Sequence, residues 1–301
     1  MRQNAEHKSL KLSAFGAFFM SALGVGFGAF TGSEAILLDG LFSFTGFIIA
    51  AITLKVSGLI SIPETKNYQF GLASLEPILN LTKGLVMLVL CAFAVSSSIQ
   101  VILAGGRSLN GLWPFIYAVI AGVGCFALYF RIRHQATATG SPILKADSTN
   151  WLIDGIISGA VGVAFLVAYL IKDSSAKAFI PYLDSSIVLV LVLFVIKMPL
   201  GLVKDNFHQV LLGAPPKEEQ DDIKKTVLSH LEGLNYLDHK FRIAKTGRFL
   251  GAIVHILLDK QSHYTVEATD SYRDKIHKDL KQSHPLVTVD IVFTQDKTLF
   301  Y

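Results

Sequence analysis

Along the first 213 residues, long apolar runs alternate with short polar connections, the runs falling at 10–31, 33–58, 72–103, 111–131, 146–171 and 179–203. About 20 mostly apolar residues cross the hydrocarbon of a bilayer as a helix, so the pattern predicts six transmembrane helices. An even number of spans brings both termini to one side. After Gly213 the pattern changes: Pro215 and Pro216 close the last span, and the acidic group Glu218, Glu219, Asp221 and Asp222 opens a helix with Ile223, Val227, Leu228 and Leu231 on one face. Residues 236–244 and 249–258 predict two strands joined by a hairpin turn over 245–248. Residues 266–281 predict a second amphipathic helix, and 286–293 a third strand. The order α-β-β-α-β predicts a small open sheet with both helices on one face. The expected fold is an α-helical membrane protein: a six-helix transmembrane domain at 1–213, then a small cytoplasmic α+β domain, ferredoxin-like or metallochaperone-like, at 214–301.

Charge is distributed unevenly between these two parts. Residues 214–301 hold 13 of the 27 Lys and Arg and 13 of the 23 Asp and Glu, so the net charge of +4 belongs to the membrane part. A modest basic excess there reads as membrane orientation and argues against a nucleic-acid partner. Connections near Lys8, Lys11, Lys55, Lys66, Arg131, Arg133, Lys145, Lys197 and Lys204 are richer in base than those carrying Arg107, Lys172 and Lys177. By the positive-inside bias, both termini of this multi-pass protein are expected in the cytoplasm, the membrane being the cell (inner, cytoplasmic) membrane. The first run is long and lacks a small-residue cleavage site, so it is expected to stay in the membrane. Trp113, Tyr117, Tyr169 and Tyr182 read as interfacial anchors, and Gly16, Gly24, Gly26 and Gly28 as a close-packing face of the first span. Cys91 and Cys125 both lie in apolar runs, too few for a disulfide framework or a zinc cluster.

The chemistry lies in polar residues inside the apolar runs. Asp39 and Asp154 are carboxylates at membrane depth, each costing at least a few kcal/mol unless a cation, a proton or a polar cavity compensates it. A cation path is the default reading. Ser43 follows Asp39 by four residues and Asn150 precedes Asp154 by four, so each pair sits one turn apart on a helix face. Ser43 and Asn150 have a second reading, as hydrogen-bonding groups between helices. None of the nine histidines falls within a span, and an oxygen-only membrane site favours hard or borderline divalent ions such as manganese. On the third span Glu76, Asn80 and Lys83 form one polar stripe with two readings, mutual neutralisation of Glu76 and Lys83, or pairing of Lys83 with an aspartate of the ion path in the empty state. There is no Gly-rich phosphate loop, no HExxH, and no nucleophile-and-base arrangement, so neither an enzyme nor a bound cofactor is expected. The cargo is expected to be a divalent metal ion, with manganese, zinc, iron, cobalt and cadmium undistinguished. The alternatives are a monovalent-cation/proton exchanger or channel, or a membrane metal sensor.

The segments LLDGLFSF, KADSTNWLID and YQFGLASLE, followed by an αββαβ domain, resemble the cation diffusion facilitator family of divalent-metal transporters over residues 10–296. The resemblance implies a metal site between the second and fifth spans with Asp39, Ser43, Asn150 and Asp154 at the ligand positions. It also implies a homodimer that exports metal ions by alternating access in exchange for protons. Family members carry Asp or His where Ser43 and Asn150 stand, which leaves zinc selectivity and the usual titrating imidazole without support here. Asp147 shares a face with Asn150 and Asp154 at i, i+3 and i+7, and is a candidate proton carrier or extra ligand. The resemblance further places His239, His255 and Asp296 where some relatives bind a regulatory metal. Ser74 stands where the family commonly has a base, which removes the expected charge link to the last span's end. One geometric condition follows: Asp39 lies roughly 9 Å into its span from the outer side and Asp154 nearer the inner half of its own. They meet if the fifth helix begins well before Asn150, near Ile143, or if the second tilts.

Overall fold

The structure, a computed structural model, describes residues 2–60, 66–69, 71–107, 112–139, 142–171, 173, 175–261 and 263–300. Side chains at 2–7, 49–50, 53–60, 139, 142–143, 145–146 and 175–176 are outside that description, so Phe70, Lys172 and the side chains of Lys55 and Lys145 lie outside the described residues. The chain divides into two compact units, residues 1–55 with 82–201, and residues 56–81 with 202–301.

The apolar runs fold as α1 (Arg2–Thr31), α2 (Glu34–Ile60), α3 (Leu75–Leu103), α4 (Trp113–Thr139), α5 (Pro142–Ile171), α6 (Ile180–Val195) and α7 (Lys197–Val210). Among the described residues, five stretches are long and apolar enough to cross a membrane: Lys8–Thr31, Leu75–Leu103, Trp113–Ala138, Asp147–Ile171 and Lys177–Val210. Helix α2, 27 residues long, occupies the remaining predicted span, though its C-terminal half carries few described side chains. The last stretch joins α6 to α7 through Ile196, where Pro199 lacks an N–H to offer the preceding turn. Large apolar side chains point outward along these helices: Phe93, Val123 and Phe194 are 70%, 65% and 73% exposed. Such a surface is stable only against lipid or another apolar partner.

Helix α2 lies between two buried clusters. One side carries Ile36 into a core with Met20 of α1, Tyr117, Ala121 and Cys125 of α4, and Leu144 and Trp151 of α5. The other carries Ala35 and Leu38 against Cys91 and Ala94 of α3 and Val188 and Val192 of α6. Small residues set how close α1 and α2 come. A Cβ on Gly24 or on Gly40 would overlap the other helix's backbone, and one on Gly28 would meet Leu37 Cα at 2.7 Å. The expected close-packing face is therefore real for Gly24 and Gly28, while Gly26 has nothing within reach.

In the second unit α8 (Lys217–His230), β1 (Tyr236–Thr246), β2 (Phe249–Leu258), α9 (Val266–Ser283) and β3 (Val287–Thr294) give the αββαβ order. The sheet order is β1-β2-β3, with β1 antiparallel and β3 parallel to β2. The alternate residues Leu250, Ala252, Val254, Ile256 and Leu258 of β2 pack with Ile223, Val227 and Leu231, and with Ile276 and Leu280 of α9. Both helices thus cover one face of the sheet, because the two-residue strand period sends every second side chain to that face. The hairpin turns at Gly247, whose φ of +58° suits a residue without a Cβ. Thr265 caps α9 by accepting the Ala268 N–H at 3.2 Å.

Candidate functional site

Helix α5 begins at Pro142, eight residues before Asn150, which meets the condition for Asp39 and Asp154 to share a neighbourhood. Asp154 lies within Coulombic reach of Asp39, Lys83 and Asp147, so α2, α3 and α5 all bring charge to one region of the first unit. Asp39 stands one residue before Gly40, where α1 and α2 touch backbone to backbone. That contact carries Asp39 to α4, and the Tyr117 hydroxyl donates to Asp39 Oδ2 at 2.7 Å.

Asp154 is exposed and takes no hydrogen bond among the described residues. Ser43, half-buried, and Asn150, exposed, likewise have no hydrogen-bond partner among them, so the alternative of a direct bond between helices is not realised. Two carboxylates, a hydroxyl and an amide oxygen thus stand on α2 and α5 with spare lone pairs. Asp147 is anchored toward α1: Ser13 bonds its carboxylate and also accepts the Trp151 indole N–H at 2.8 Å. Its buried Oδ2 has no hydrogen-bond partner among the described residues.

Two sequence expectations are corrected here. Tyr117, read as an interfacial anchor, is 3% exposed and bonded to Asp39, because α4 turns this ring toward α2 within the Met20, Ile36 and Trp151 core. Glu76 is not neutralised by Lys83: it pairs with Arg248 of the β1–β2 turn at 3.0 Å, beside the Gly247 N–H donating to Gln209 Oε1 at 2.9 Å.

Little more than a turn before Asp39, at the N-terminus of α2, the acids are fully engaged. Asp184 of α6 accepts from the Ser33 hydroxyl at 2.5 Å and the Glu34 N–H at 2.8 Å, an N-cap for α2 supplied by a distant residue. Glu34 is held by Arg107 at 3.1 Å and by the Ser97 hydroxyl at 2.7 Å, while Arg107 also donates to the Gly32 carbonyl at 2.9 Å.

The candidate regulatory residues of the second unit do not converge within the chain. The register pairs His239 with Ile256 and Lys240 with His255, so the two imidazoles lie on opposite faces of the sheet. His239 packs edge-on against Tyr236 and Phe241, and His255 is 9% exposed with Nδ1 unbonded. Asp296 caps the turn after β3 by accepting the Thr298 N–H and hydroxyl at 2.8 and 2.7 Å, which holds its carboxyl below the usual range. These three residues do not form a metal site in one chain.

A multi-pass helical bundle with carboxylates within its apolar helices, followed by a small αββαβ domain, is the fold expected of a cation transporter of this kind. The family description "Cation efflux transmembrane domain" matches residues 10–211, and the chain belongs to the cation efflux family, whose members are transporters and not enzymes. It is 24% identical over 163 residues to "Magnetosome protein MamM" of Paramagnetospirillum magneticum, covering 54% of this chain and 49% of that one. It is 21% identical over 285 residues to "Putative transporter MamV" of the same organism, covering 94% and 81%. The chain spans about half the length of the MamM proteins it matches. A solved structure, "Mode of Action of a Putative Zinc Transporter CzrB (Zn form)", aligns at 18% identity over 28% of this chain and 91% of that one, with a TM-score of 0.24.

Proposed function

We propose that this cation efflux family member exports a divalent metal ion from the cytoplasm by alternating access, in exchange for protons, as a homodimer. Its membrane domain is 1–213 and its cytoplasmic domain 214–301, with both termini in the cytoplasm and the chain in the cell membrane. The ion is held by Asp39 and Asp154, with Ser43 and Asn150 completing an oxygen-rich set. Asp147 serves as a proton carrier or further ligand. The observation that supports this reading is that the Asp39 and Asp154 charges, from α2 and α5, act on one another through space while Asp154 takes no hydrogen bond among the described residues. A carboxylate at this depth needs a cation or a proton, so an ion that leaves must be replaced. That obligatory neutralisation is the physical source of coupling. An all-oxygen set suits manganese, iron or cobalt better than the softer ions.

The deciding experiment is uptake into proteoliposomes across manganese, zinc, iron, cobalt and cadmium, with lumenal pH recorded. Divalent-driven proton flux is the expected result. Flux of potassium or sodium unaffected by divalent competitors would replace this reading with a monovalent exchanger or channel.

A further inference from the structure

Lys83 is a cation inside the bundle that the ligand set does not use. It lies eight residues beyond the first residue of α3, roughly 12 Å along the helix, and an ammonium at that depth is as much in need of compensation as the aspartates are. Glu76, the acid on its own helix face, is taken by Arg248. No carboxylate lies within ion-pair distance of Lys83 among the described residues. Instead its Nζ reaches across to α2 and sits over Gly46, 3.9 Å from where a Cβ would stand, with nothing else crowding that position. Gly46 is three residues after Ser43 and seven after Asp39, so the ammonium rests on the face of α2 that carries both. From α5, Asp154 acts on it through space. A half-buried lysine with a four-carbon stem thus waits on the face of α2 that carries Asp39, within through-space reach of Asp154, and in contact with neither carboxylate among the described residues.

We propose that Lys83 is the tethered counter-cation of the transport site: its ammonium moves from Gly46 onto the Asp39 and Asp154 side chains when the metal ion has left, and withdraws over Gly46 when an ion binds. The inference rests on the reading of Asp39 and Asp154 as the ion's ligands. It adds a competitor built into the chain. The aliphatic stem spans the distance by rotamer change, and Gly46 supplies the resting place without a side chain to block it. Repulsion by a fixed positive charge weakens binding of a divalent ion, which keeps a site with up to three carboxylates from becoming a trap and speeds release.

The test is binding of Mn2+ and of Zn2+, each alone, to purified full-length protein in wild-type, Lys83→Met, Lys83→Arg, Asp154→Asn and Lys83→Met/Asp154→Asn forms, with proteoliposome turnover alongside. Lys83→Met keeps the stem and removes the charge. It should bind about tenfold tighter or more and turn over more slowly, while Lys83→Arg stays close to wild type. Asp154→Asn should lose the ion, and Lys83→Met should not restore it in the double variant. Binding abolished by Asp154→Asn yet unchanged by Lys83→Met would overturn the counter-cation and leave the ligand assignment standing. Weaker binding in Lys83→Met than in the wild type would make Lys83 a packing residue and also overturn it. No saturable binding of either ion by the wild type would overturn both the ligand assignment and the counter-cation.

Discussion

The two ends of the chemistry on α2 treat acids in opposite ways. At its N-terminus, Asp184 and Glu34 have hydroxyl, backbone and guanidinium donors supplied by α2, α3 and the segment after α3. Little more than a turn further along, among the described residues, Asp39 has one donor, Tyr117, and its counterpart Asp154 has none. A carboxylate whose lone pairs are filled is part of the scaffold, since any ligand would first have to displace its donors. One left short of donors beside a second carboxylate is a place for a cation. On the proposed reading the same side-chain chemistry does two jobs, distinguished by hydrogen bonding and not by depth or residue type.

Substitutions should separate the two regions cleanly. The largest effect is expected at the unpartnered pair: Asp39→Asn and Asp154→Asn should each lower divalent uptake by more than about a hundredfold, since even outer partners of metal ligands are worth 10–100-fold. Thermal stability in detergent should hold or rise. Next, Asp184→Ala leaves the Ser33 hydroxyl and the Glu34 N–H without an acceptor and should cost about 2–4 kcal/mol of stability, read by thermal denaturation. Uptake per folded molecule should be retained, and an uptake loss without a stability loss would break the comparison. Smaller still, Tyr117→Phe removes the donor to Asp39 while keeping the ring in its core, and should shift ion affinity by about tenfold with little change in melting. An unchanged affinity would make the Tyr117 contact scaffold rather than site.

Much of this architecture is legible in the residue pattern because it is local. Span lengths, the proline-to-acid transition at 215–222 and the alternation in β2 are set within a few residues, and β2 runs from Phe249 to Leu258 as the alternation predicts. Asp39 and Asp154 stand out because a charge in an apolar run is rare whatever surrounds it. Tyr117 does not: an aromatic near a span end suits an interface as well as a core, and its partner is 78 positions away. Glu76 with Arg248, 172 positions apart, has no sequence signature at all. The separation of His239 from His255 is different, because its signal is present. With Thr246 pairing Phe249 across the turn, His255 falls opposite Lys240, and lengthening the loop by two residues would move it to Asp238, on the same face as Lys240 and never that of His239. Counting from the turn finds this.

The central claim is that one ion is shared by carboxylates from α2 and α5. Its most direct test is the stoichiometry and affinity of divalent binding to the membrane site in Asp39→Asn, Asp154→Asn and the double variant. One ion per chain in the wild type, lost to the same extent in either single variant and no further in the double, is the result this account predicts. Two independent sites, each removed by only one of the substitutions, would contradict it.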